Sequence, residues 1–174
     1  MKNTLILFII LTLHNCSPKV IHNTKTIDSY KQNALQKKFA YLLKIPTDSI
    51  YNLSLYKNLE SWNSTKDSLD FESIPYPILF INYICYKQYH IELPNSYDEI
   101  LKSEKVYPYL NTNYLKEGDL IFFKQKNNSH KLVGLYLKNK HFTYASTNGE
   151  LNYIEIKDTL NNITILSNAK LFNR

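Results

Sequence analysis

At 174 residues with 44% apolar side chains, the chain is expected to form one domain with a sizeable buried core. Its net charge of +6 comes from lysines spread along the sequence, almost without arginine, with a modest cluster at Lys124, Lys126, Lys131, Lys138 and Lys140. That pattern is a solvated surface with at most a weak pull on anionic polymer or phospholipid, and it argues against a nucleic-acid binder, whose basic face is concentrated and rich in arginine.

The first residues read as a processing signal. Lys2 precedes an apolar run from Leu5 to Leu13, too short to span a bilayer, and the run ends in Leu13-His14-Asn15-Cys16. This resembles a bacterial lipoprotein signal over residues 1–15, with Cys16 acylated. His14 and Asn15 depart from the small residues usual before such a cysteine, and an ordinary signal peptide or uncleaved anchor is the alternative. Acylation of Cys16 leaves Cys85 alone, so no internal disulfide can form. The expectation is an exported protein of the bacterial cell envelope, held to a membrane by acyl chains, at the outer membrane or the periplasmic face if the source has two membranes.

Residues 16–27 are polar and aperiodic and read as a tether, leaving 28–174 as the domain. A first helix is expected from Ser29 to Leu43, with Leu35, Phe39, Leu42 and Leu43 on one face and Pro46 just beyond. A second runs from Leu53 to Trp62. A third, apolar on most sides and so central, opens at Pro75 to Pro77 and ends near His90. A short helix follows over Ser96–Leu101. Five strands are expected near Leu120–Lys124, Leu132–Leu137, Phe142–Ser146, Tyr153–Lys157 and Ile163–Leu166, with a hairpin turn at Asn139. Helices first and an antiparallel sheet after define an α+β fold.

Several segments then resemble, in type and order, the NlpC family of papain-like cell-wall cysteine endopeptidases. Leu55-Tyr56 through Ser61-Trp62 is similar to the helix before that family's active-site loop. Tyr89-His90-Ile91-Glu92-Leu93-Pro94 is similar to the end of its nucleophile helix, usually Tyr-Gly-Ile-x-Leu-Pro. Glu117-Gly118-Asp119-Leu120-Ile121-Phe122-Phe123 resembles Pro-Gly-Asp-Leu-Val-Phe-Phe. Val133-Gly134-Leu135-Tyr136 and Phe142-Thr143-Tyr144-Ala145-Ser146-Thr147 resemble its hairpin strands. The resemblance covers roughly Leu53 to Leu166 and implies a papain-like fold, a central buried helix on a mainly antiparallel sheet of about five strands. Gly118 and Gly134, two of the three glycines in the chain, fall at family glycine positions.

The chemistry is where the sequence departs. The family's Asp-Cys-Ser-Gly aligns with Pro77-Ile78-Leu79-Phe80, so the nucleophile position is Ile78. The base, a histidine before Val-Gly, is Leu132, and the third polar residue is Tyr144. The glycine-rich loop before the cysteine has no counterpart in Thr65 to Asp70. A helix N-terminus and a nearby imidazolium favour the thiolate that attacks an amide carbonyl, and a third residue fixes the ring. Isoleucine offers no nucleophile and leucine no titratable atom, so this resemblance implies a catalytically dead triad.

Other candidates are weak. Cys85 sits two helical turns beyond Ile78 and reads as a buried structural thiol. His130 lies two residues before Leu132 and can enter the cleft or stay on the surface. Ser73, ahead of two prolines, is a displaced nucleophile only if a base such as His130 reaches it. Asp67, Asp70 and Glu72 read as a solvated loop, His90 and His141 have no metal spacing, and no cofactor is implied. Tyr76, His130 and Tyr144 are the expected lining of the cleft. The leading function is a non-catalytic module binding peptidoglycan stem peptides or an envelope protein. The alternatives are an active hydrolase with a relocated nucleophile and a purely structural part of an envelope complex.

Overall fold

The computed structural model describes residues 24–69, 73–126, 130–156 and 163–172. The expected signal, Cys16, most of the expected tether, and Asp70 and Glu72 lie outside the described residues.

Helix α1 spans Thr24–Leu43, so it begins four residues inside the stretch expected to be tether. The reason is local: Thr24-Lys25-Thr26-Ile27 contains neither proline nor glycine to stop it. Helix α2, Leu53–Thr65, starts at Asn52, whose side chain accepts a hydrogen bond from the Leu55 amide, and it buries Leu55, Tyr56, Leu59 and Trp62 along one stripe. Helix α3, Tyr76–Tyr89, follows Pro75 and carries Pro77 in its first turn, where the missing amide costs nothing. It buries seven residues, Pro77 to Ile81, Ile84 and Cys85, and is the central helix. It stops at His90, which adopts a left-handed conformation with φ 55°. The Ile91 amide then reaches back to the Cys85 carbonyl at 3.2 Å and closes the last turn. Helix α4 is short, Tyr97–Lys102.

Six antiparallel strands follow: β1 Val106–Tyr109, β2 Leu120–Gln125, β3 Lys131–Tyr136, β4 His141–Ala145, β5 Leu151–Glu155 and β6 Ile163–Leu171. They lie in the order β1-β6-β2-β3-β4-β5. The sixth strand corrects the expected count of about five. β1 was hidden because it is four residues long and contains Pro108, which only an edge strand tolerates. β6 runs five residues past Leu166 because its second half pairs with both β1 and β2.

Period-two alternation splits the sheet's apolar residues between two cores. Leu120, Phe122, Val133, Leu135 and Ala145 join the helices in the main core, while Ile121, Phe123, Leu132, Phe142 and Tyr144 form a smaller cluster with Ile163. Gly134 is required by close approach: a Cβ there would sit 2.8 Å from the Thr143 carbonyl oxygen and 2.9 Å from the Phe142 ring. Gly118 has a different reason, a φ of 90° in the turn that leads into β2.

Candidate functional site

The start of α3, the start of α4 and the start of β3 converge on a cleft of about 440 Å³. Ile78 and Leu132 both line it, so the two positions where the resemblance places sulfur and imidazole share one cavity. Tyr76 and His130 line it too, together with Pro75, Tyr97, Lys131 and Thr147. Tyr144 does not. It is packed 5.0 Å from Phe123, ring to ring, in the smaller core that also holds Leu132, and its hydroxyl accepts a hydrogen bond from Gln125 Nε2 at 3.0 Å. Strand alternation explains this correction, because Tyr144 shares the Phe142 side of β4. Leu132 thus belongs both to the cleft lining and to the apolar cluster that holds Tyr144, and a leucine can make no hydrogen bond to an orienting partner.

The backbone at the mouth of α3 is also spent. The Ile78 amide donates to the Pro75 carbonyl at 2.9 Å and the Leu79 amide donates to the same oxygen at 3.0 Å. Pro77 has no amide to give. A developing oxyanion above Ile78 would therefore find these two donors already engaged.

Tyrosines form the side walls. The Tyr97 ring stands edge-on against Phe122 with centroids 5.0 Å apart, and Lys131 Nζ lies 5.1 Å above it. Burial, then the Asp98 carboxylate, pushes the Tyr97 hydroxyl pKa up to about 12, so it stays a neutral donor in the physiological range. Lys131 is tied to Asp98 at 2.8 Å, and that bond holds the Asp98 carboxyl below its ordinary range. On the opposite wall Tyr76 packs edge-on to Trp62, and Gly149, held by the Trp62 indole N–H at 2.8 Å through its carbonyl, lies against the Tyr76 ring. Ser96 lines the cleft too, but it is the cap of α4. Its hydroxyl accepts from the Glu99 amide at 3.4 Å and donates to the Glu99 carboxylate at 2.7 Å.

The remaining candidates are dispersed. Cys85 is fully buried in the core, about 10 Å along the helix axis from Ile78. Ser73 is exposed in the turn before α3 and does not line the cleft that His130 lines. Asp67 is exposed and sits 3.4 Å from Lys66. His90 caps α3 beside a separate cavity with Glu104, Lys105 and Phe172. His141 is buried with Nδ1 2.7 Å from the Asn139 carbonyl oxygen and Nε2 4.0 Å from Glu155. Tyr97 is the wall residue that the sequence reading missed. The signal was present in Ser96-Tyr97-Asp98-Glu99, a serine followed three residues later by glutamate, which marks a helix start and places Tyr97 at its first turn.

The site is thus the mouth of a central buried helix set against β3 of an antiparallel sheet, with a cleft between them. The profile of the NlpC/P60 family matches residues 79–167, from the residue after Ile78 through all but the end of β6. The chain belongs to the NlpC/P60 family. A comparison with curated protein sequences finds no match.

Proposed function

We propose that this NlpC/P60 domain recognises rather than cuts. The cleft takes a short peptide, a peptidoglycan stem peptide or an exposed segment of an envelope protein, while Ile78, Leu132 and Tyr144 stand in place of a catalytic triad. The proposal includes export and acylation at Cys16, which keep the domain at the cell envelope. The observation that carries it is the pairing of Ile78 with Leu132 across an open cleft of about 440 Å³. An apolar floor between two tyrosine walls with a few polar groups is the common make-up of a small-ligand site.

Calorimetric titration of the protein with a stem tetrapeptide tests this reading. Binding is expected, with a loss of roughly tenfold or more in affinity for Tyr97→Ala, which removes a buried aromatic wall. Filling the cleft with Ile78→Arg should abolish it. No binding by the wild-type chain, or equal binding by both variants, would contradict the proposed site.

A further inference from the structure

Helix α1 carries a second face whose composition has a specific meaning. Its core side is Leu35, Phe39, Ala40 and Leu43. At 100° per residue the opposite side is Tyr30, Ala34, Lys37 and Tyr41, a stripe with spacing i, i+4, i+7, i+11. Tyr30 is 78% exposed and Tyr41 86% exposed, so each ring stands in solvent rather than on the domain. Lys31, Lys38 and Lys44 flank the stripe, and the segment from Asp28 to Lys44, just past the helix end, holds four lysines against one carboxylate. Lys38 and Lys44 are paired with Glu60 and Glu155. Among the described residues neither Lys31 nor Lys37 makes an ion pair.

From these observations we infer that the outer face of α1 lies on the surface of a membrane containing anionic phospholipid. Tyrosine and lysine are the side chains suited to that layer: the ring or the aliphatic stem enters the headgroup boundary while the hydroxyl or ammonium stays wet. Tyr30 and Tyr41 are separated by about 16 Å along the axis, so the helix would lie flat with both rings down and Lys37 between them. No helix among the described residues is long and apolar enough to cross a membrane, so the contact is superficial. The reach fits. The stretch from Cys16 to Thr24 spans at most about 28 Å even when fully extended, so an acyl anchor at Cys16 would hold the start of α1 within that distance of the membrane. That tether rests on the acylation in the proposed function, whereas the lysine–tyrosine face does not.

The test places a tryptophan at the stripe in the full chain, as Tyr30→Trp or Tyr41→Trp, with Tyr114→Trp as a control at an exposed site in the turn between β1 and β2. Trp62 is fully buried and contributes the same background to all three. Each protein is mixed with vesicles of phosphatidylcholine alone or with phosphatidylglycerol, both carrying brominated acyl chains as quenchers. Quenching is expected at positions 30 and 41 but not at 114, and only with phosphatidylglycerol. Adding Lys31→Gln with Lys37→Gln should lower the docked-to-undocked ratio roughly thirtyfold and so remove the quenching. Emission at 30 and 41 that behaves like emission at 114, or quenching indifferent to phosphatidylglycerol and to the two lysines, overturns the inference. Mass spectrometry of Cys16 in the same samples reports acylation separately, so a missing anchor and a face that does not dock are distinguishable.

Discussion

His90 holds its backbone at φ 55°, a region that non-glycine residues enter at a cost, because α3 must end there for the chain to turn toward Leu93. The family resemblance expects glycine at this point, and the geometry supplies the reason. His90→Gly should therefore stabilise the protein by about 0.5–1 kcal/mol, the relief of left-handed strain less the added flexibility of the unfolded chain. The single edge-on contact with the Tyr86 ring at 6.4 Å is a small loss against this. Thermal unfolding followed by circular dichroism checks it: a higher midpoint is expected, and a lower one would mean that the histidine side chain holds more than its backbone costs. Gly134 is the reverse case, where the glycine is kept because β4 passes too close for any side chain.

Between elements, the junction of α1, α2 and β5 is built on two tyrosines, Tyr56 fully buried and Tyr153 half-buried. The Phe39 ring lies 4.6 Å from Tyr56 and 6.1 Å from Tyr153. Tyr56 donates to the Glu117 carboxylate in the loop before β2. Burial, then Glu117, raises the Tyr56 hydroxyl well above its ordinary range, and burial pushes Tyr153 up to about 12. In the unfolded chain both would ionise near pH 10. The folded state keeps its protons where the unfolded state has lost them, so stability is full below about pH 10 and falls as pH rises toward the folded values. Urea midpoints measured from pH 8 to 11.5 should fall through the upper part of that range. Tyr153→Phe, which has no proton to lose, should make the fall shallower. An unchanged slope in that variant would show that Tyr153 titrates alike folded and unfolded.

For the molecule as a whole, the α+β order, the central helix and the positions of four helices were legible from apolar periodicity and proline placement. The sheet was legible less completely. β1 is short and contains Pro108, and the far half of β6 gains its strand character from β1, so neither shows in local pattern. At the cleft, Ile78 and Leu132 could be aligned by spacing, whereas Tyr144 was assigned to a wall it does not reach. Alternation puts Tyr144 on the Phe142 side of β4, but that this side packs on Phe123 in the smaller core rather than on the cleft is a tertiary fact that spacing alone does not convey. Tyr97 was reachable through the Ser96–Glu99 pair.

The proposed function is that this cleft holds a peptide without breaking it. The most direct measurement is to incubate the purified protein with soluble disaccharide-peptide fragments of peptidoglycan and follow them by mass spectrometry. Intact fragments are expected throughout, with no difference among wild type, Ser73→Ala, Cys85→Ala, Ser96→Ala and His130→Ala. Release of shortened peptides that disappears in any one of those variants would contradict the account and identify the nucleophile or base that Ile78 and Leu132 lack.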